Sequence, residues 1–133
     1  MVKARLEKAK RLLDLSRDLQ RLEEDRLVQL RNRKAEIAVQ QEELIGSLDS
    51  DTSLQGLLMP VIVRRLKGLG EEAMLVEQDI ERRTSSLRSL ATRTKYAERL
   101  SRNYQQQHTR MEGEKELLDV IERVLRTTGA RLP

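Results

Sequence analysis

The chain has 133 residues and a net charge of +4; 36% of its residues are charged and only 2% are aromatic. It has no Phe, Trp or Cys, which excludes disulfides, thiolate metal sites and an aromatic globular core. Such a composition is typical of a coiled coil. It has neither a signal sequence nor a run of about 18 apolar residues, so we expect a cytoplasmic protein.

The first predicted helix covers residues 2–46. Two leucine-rich series follow helical spacing, and the step between them predicts one register slip. The first series is Leu12, Leu15, Leu19 and Leu22, and the second is Leu27, Leu30, Ile37 and Leu44. Lys34 and Gln41 fall on the second series, which predicts a weaker contact there.

Gly46 is the predicted end of this helix, and residues 47–53 form the only cluster of turn-forming residues, the predicted tip loop. Thr52 and Gln55 fit a capping box at the start of a second helix, predicted to cover residues 54–127. Thr127, Thr128 and Gly129 predict its end.

The second helix has an unbroken seven-residue repeat, and all but one of its members are apolar. They are Ile62, Leu69, Val76, Arg83, Leu90, Ala97, Tyr104, Met111, Leu118 and Leu125. The companion positions are apolar up to Leu87 and polar from Thr94 onward, through Ser101 and His108. We interpret this change as the point, near residue 98, where the shorter first helix ends. The fold class is therefore all-α, an antiparallel two-helix coiled-coil hairpin with a longer second helix.

Pro60, Gly68 and Gly70 weaken the second predicted helix. Because the apolar repeat keeps its phase across both glycines, we favour a bent but continuous helix. The alternative is a short helix over residues 54–67, a break, and a new helix from Glu71.

No catalytic or metal-binding motif is present. Gly68 and Gly70 lack the Lys and hydroxyl of a phosphate-binding loop. Asp49 and Asp51 suggest a calcium loop, but Pro60 stands where a bidentate Glu is needed. We expect no enzymatic activity, cofactor, metal or small-molecule ligand.

Two surfaces are candidate binding sites for proteins. Residues 57–63 are seven consecutive apolar residues, too many to face one partner helix, so we predict an exposed apolar tip; a local cap over the loop is the alternative. The residues predicted to bind a partner there are Leu57, Leu58, Val61 and Val63.

Residues 82–102 contain seven Arg and Lys against one Glu, and residues 1–11 contain five against one. A turn near residue 50 would place residue 11 beside residue 89 and join both stretches into a basic band. Its predicted members are Lys8, Arg11, Arg88, Arg93, Lys95, Arg99 and Arg102. A solvated helix face is the plain alternative, and an acidic protein surface is a better partner than nucleic acid, since only Tyr96 and Tyr104 offer stacking.

The loop over residues 48–53 and the charged stretches over residues 97–100 and 110–119 resemble the FliJ-type proteins of flagellar and injectisome type III export. That resemblance implies a non-enzymatic stalk whose basic band and C-terminal overhang contact a hexameric export ATPase. It also implies that the apolar tip meets the membrane export gate or export chaperones, so that the chain reaches the inner membrane only through partners. The alternatives are a cytoplasmic scaffold that dimerises through its C-terminal overhang and a basic rod that binds nucleic acid.

Overall fold

A computed structural model describes residues 1–50 and 55–131, and the side chains of residues 1–49 and 56–129. It has two helices, α1 (Val2–Ser50, 49 residues) and α2 (Gln55–Arg131, 77 residues). The helices pack against each other, and the described residues form no strand. The predicted all-α hairpin with a longer second helix is confirmed.

Helix α1 ends later than predicted. Gly46 has no positive φ, which a helix-ending glycine normally adopts, and the helix continues to Ser50. The Ser47 hydroxyl donates a hydrogen bond to the Leu44 carbonyl at 2.9 Å, so this part of the predicted loop is helical. The rest of the predicted loop, over residues 51–53, and Thr52 of the capping box lie outside the described residues.

Helix α2 is continuous through Pro60, Gly68 and Gly70, as the favoured interpretation predicts, and the alternative with a break before Glu71 is excluded. Pro60 lies near the start of the helix, where its missing N–H removes a single hydrogen bond.

The predicted end at residue 127 is also too early, since α2 reaches Arg131. The hydroxyls of Thr127 and Thr128 donate to the Arg123 and Val124 carbonyls at 2.8 and 2.7 Å. This bonding one turn back lets threonine remain within a helix.

The chain divides into two compact units, each containing parts of both helices. The central unit is Leu19–Ala91, and the terminal unit combines Met1–Asp18 with Thr92–Pro133. In the central unit, Ile37 and Leu69 are 1% and 0% exposed. Together with Val76 they form its core, against which Leu30, Leu44, Ala73 and Ile80 pack. The predicted repeat on α2 and the second predicted series on α1 are confirmed in this unit.

The first predicted series on α1 is wrong. Leu12, Leu15, Leu19 and Leu22 are 42–56% exposed, so they do not form the helix contact. The buried positions on α1 belong to seven-residue repeats without a slip, which contain small and polar residues. One repeat is Val2, Ala9, Ser16, Glu23, Leu30, Ile37 and Leu44. Side-chain size explains the difference, because the small residues Ala9 and Ser16 supply the contact while the larger leucines lie outside it.

Apart from Leu6, the fully buried residues of the terminal unit have small side chains. Leu6, Ala9 and Ser16 of α1 are buried, as are Thr94 and Ala97 of α2. Ser101, Tyr104 and His108 are half-buried, and every described side chain from Thr109 to Gly129 is exposed. The contact therefore continues to His108 rather than ending near residue 98. Polarity after Leu87 reflects a change of side-chain size, not the loss of the partner helix.

Candidate protein-binding surfaces

Three ion pairs between α1 and α2 fix the register of the central unit. Arg33 Nε donates to Glu72 Oε1 at 2.7 Å, and Lys34 Nζ lies 2.6 Å from Glu77 Oε2. The hydrogen bonds that Arg33 donates to the carboxylates of Glu72 and Glu36 raise the pKa of Arg33 above its ordinary value, so the guanidinium stays charged.

The third pair explains the charged member of the α2 repeat. Arg83 Nη1 donates to the Glu23 carboxylate oxygens at 3.2 and 3.3 Å. Glu23 belongs to the repeat on α1, so the two repeats meet here through charge instead of aliphatic packing. Both side chains are partly buried, so water screens the attraction between them less than it screens an exposed ion pair.

In the terminal unit, Arg17 Nη2 lies 3.5 Å from Glu98 Oε1. Glu98 is the single acidic residue of residues 82–102. The acid that interrupts this basic stretch is therefore already paired with a base.

The basic band has exposed side chains throughout. The terminal unit holds Lys8, Arg11, Arg93, Lys95, Arg99 and Arg102, and the central unit holds Arg88. Lys8 and Ala9 share one shallow groove with Leu100 and Tyr104. The predicted register, with residue 11 beside residue 89, is therefore wrong by about ten residues. The register differs because α1 continues to Ser50, beyond its predicted end at Gly46. The N-terminal bases lie beside the C-terminal end of the basic stretch, near Arg99 and Arg102.

The apolar tip is exposed, as its sequence predicts. Leu57 and Val61 are 78% and 63% exposed, and Leu58 and Val63 are about half exposed. These residues occupy the first turns of α2, and the adjacent Ile62 is half-buried. The tip thus presents contiguous apolar surface, a property usually found at interaction sites. Binding of a partner there stays a prediction.

Sequence analysis missed a further surface, on the C-terminal segment (residues 109–129). Its apolar side chains are 44–64% exposed and share one side of the helix. They are Met111, Leu117, Leu118, Val120, Ile121, Val124 and Leu125. Leu117, Ile121 and Val124 are separated by four and three residues, and this spacing indicates one side of a helix from the sequence alone. The seven-residue repeat of α2 includes Met111, Leu118 and Leu125 but not these three residues, so the repeat alone does not indicate the surface.

Within the described residues, no group of three or more His, Asp or Glu side chains is placed to hold a metal ion. Neither α1 nor α2 contains, in its described part, a stretch apolar enough to cross a membrane. Comparison with protein-family models, curated proteins and solved structures gives no match to this chain.

Proposed function

We propose that this chain is a non-enzymatic stalk protein of a type III, flagellar-like protein export apparatus. It binds a hexameric export ATPase through the basic band and meets the export gate or export chaperones through the apolar tip. The proposal rests on the sequence resemblance together with one structural observation. That observation is a hairpin of unequal helices, 49 and 77 residues long, whose exposed charge and apolar surface lie on different parts of the chain.

The basic band supports a contact with an acidic protein surface. Its side chains are exposed, and Glu98, the acid within the stretch, is held by Arg17. Clustered like charges repel one another, and a partner of opposite charge relieves that repulsion while accelerating encounter. An acidic lining of the ATPase pore would be a partner of opposite charge to the basic band.

The apolar tip supports a second contact of different chemistry. Leu57, Leu58, Val61 and Val63 are 47–78% exposed, so the apolar surface that they leave in water can contribute to binding when a partner covers it. A protein with separate charged and apolar surfaces is suited to connect two partners.

The ATPase contact is tested by measuring ATP hydrolysis of the purified hexamer with and without this chain. We expect the wild-type chain to stimulate hydrolysis, and Arg93→Glu with Arg99→Glu to lower the apparent affinity at least about tenfold because two attractive contacts become repulsive. The matched control is Arg64→Glu with Arg65→Glu, which makes the same charge change on exposed residues outside the band.

Stimulation that survives the Arg93 and Arg99 changes would remove the basic band from the contact. A wild-type chain that neither binds nor stimulates the hexamer would refute the proposed function itself.

The tip contact is tested separately, by binding to the isolated cytoplasmic domain of an export gate and to export chaperones. We expect Leu58→Ser with Val61→Ser to weaken binding at least about tenfold, because apolar area is lost from the interface. The control, Met74→Ser with Leu75→Ser, removes two apolar side chains elsewhere on α2 that are at least as exposed. Equal losses from both pairs would indicate non-specific stickiness rather than a tip site.

A further inference from the structure

The shallow groove of the terminal unit, with a volume of about 190 Å³, is lined by residues of both helices. The lining residues are Arg5, Lys8, Ala9 and Leu12 of α1 with Leu100 and Tyr104 of α2. Ala9 is buried, and its small side chain leaves space between the helices, while Leu12 is 45% exposed. Leu100 and Tyr104 are half-buried. The groove therefore keeps part of an apolar wall on each helix in contact with water.

Helical spacing extends the apolar walls of the groove along both helices. Leu15 follows Leu12 by three residues on α1, and Tyr96 precedes Leu100 by four residues on α2. Leu15 is 56% exposed and Tyr96 is 65% exposed. Tyr96 and Tyr104 are the only tyrosines, and the chain has no Phe or Trp, so all of its aromatic rings lie on this one side. Aromatic residues are enriched at protein interfaces, which makes their placement here a sign of binding.

The groove also carries positive charge. Arg5 and Lys8 line it, and none of its six lining residues, all of which the structure describes, is acidic. The ion pairs between described side chains include neither Arg5 nor Lys8. Glu98, an acid of the same unit, pairs with Arg17 at a different groove. Along α1, the bases thus occupy one end of the groove, and the leucines occupy the other.

We propose that this groove binds an acidic amphipathic helix of a protein partner. A groove between two packed helices accepts the side chains of a third helix. Apolar residues at intervals of three and four on that helix cover Leu12, Leu15 and Leu100, and its carboxylates pair with Arg5 and Lys8. Arg5 and Leu15 are about 15 Å apart along α1, so about three turns of the partner helix fill the groove.

The leucines distinguish a protein helix from single-stranded nucleic acid as the occupant. Two tyrosines and two bases would suit either. Leu12, Leu15 and Leu100 add aliphatic surface, which apolar side chains complement better than phosphates and the polar edges of bases do. The inference goes beyond the proposed function, because it concerns the chemistry of the bound segment and holds for any protein that carries one.

Tyrosine fluorescence tests binding directly, because the emission of this chain comes from Tyr96 and Tyr104 alone. The probe is a synthetic peptide of about 15 residues, without aromatic residues, in which leucines form one side of a helix and glutamates flank them. We expect a saturable change in emission of the full chain. The same peptide with lysine in place of glutamate should bind at least about tenfold more weakly. Equal affinity for both peptides, no binding of the glutamate peptide, or tighter binding of an oligothymidine of equal charge overturns the proposal.

Charge reversal tests whether the peptide lies in the groove. Arg5→Glu with Lys8→Glu should weaken binding of the glutamate peptide at least about tenfold, because two attractive contacts become repulsive. The control, Lys3→Glu with Lys10→Glu, makes the same change of net charge at exposed positions on the other side of α1. It should change the dissociation constant by less than about twofold at physiological salt, which screens distant charges. Equal weakening by both pairs overturns the site, since net charge would then explain the attraction.

The apolar walls are tested with a second pair of variants. Leu12→Ser with Leu15→Ser should weaken binding of the glutamate peptide at least about tenfold, because apolar area is lost from the contact. The control, Val28→Ser with Val39→Ser, removes side chains of α1 that are 54% and 52% exposed. Circular dichroism checks that each variant keeps its helices, and unchanged binding by the leucine variant overturns the proposal. These measurements contain no ATPase, so the groove and the proposed function can fail independently.

Discussion

The central and terminal units use the same seven-residue repeat but fill it with different side chains. The central unit buries Ile37 and Leu69 and adds ion pairs at Glu72, Glu77 and Arg83. Among the described residues of the terminal unit, the ion pair between the two helices is Arg17–Glu98, which is longer at 3.5 Å, and alanine, serine and threonine are buried beside Leu6.

Large aliphatic side chains remove more apolar area from water, so we infer that the central unit supplies most of the stability. The terminal unit holds six of the seven basic-band residues and the whole C-terminal segment. The small side chains at its helix contact leave the charged residues of the basic band and the apolar residues of the C-terminal segment exposed to water, where partners can reach them.

The largest expected effect contrasts a leucine within the helix contact with one outside it. Leu27→Ala should lower the free energy of unfolding by about 2–4 kcal/mol, because a buried side chain is replaced by a cavity. Leu19→Ala, at an exposed position, should change it by no more than about 0.5 kcal/mol. Urea denaturation, monitored by circular dichroism, measures both free energies of unfolding. Similar losses of stability in the two variants would show that the first leucine series of α1 does belong to the helix contact.

The small-residue contact of the terminal unit is tested by enlarging it. Ala97→Leu should destabilise the chain by about 1–3 kcal/mol, because the extra methylenes have no space at a position that is 1% exposed. Tyr96→Leu, at the exposed neighbouring position, serves as the control. Thermal unfolding that leaves Ala97→Leu as stable as wild type would show that this contact is loose.

The Glu23–Arg83 pair offers a test of register in the central unit. Glu23→Arg should cost about 1–2 kcal/mol, since two partly buried guanidinium groups then face each other. Adding Arg83→Glu should recover most of the loss, which a double-mutant cycle in urea measures. Independent, additive losses would mean that the two side chains do not interact.

The smallest expected effect is a gain in stability. Gly68→Ala should stabilise the chain by about 1 kcal/mol, because an added Cβ meets nothing within 4 Å and alanine favours the helix. Gly129→Ala, near the fraying end of α2, should give a smaller gain. A loss of stability at Gly68 in thermal unfolding would indicate that the helix needs flexibility there.

The fold class and the α2 repeat could be predicted from the amino-acid pattern alone. Ile62, Leu69 and Val76 recur every seven residues, a period that is typical of a coiled-coil helix. The sequence has a single turn-rich stretch, which predicts one hairpin. The exposed apolar tip was also predictable, because seven adjacent apolar residues around a helix cannot all face one neighbour.

The tertiary structure decided which row of α1 makes the contact and how far the contact extends. Leu12 and Leu19 are more hydrophobic than Ala9 and Ser16, so hydrophobicity alone selects the wrong row. The correct row depends on the size of the opposing side chains and on the end of α1, which is Ser50 instead of the predicted Gly46. Helical period is a local property of the sequence, whereas register is a relation between two helices that only their packing fixes.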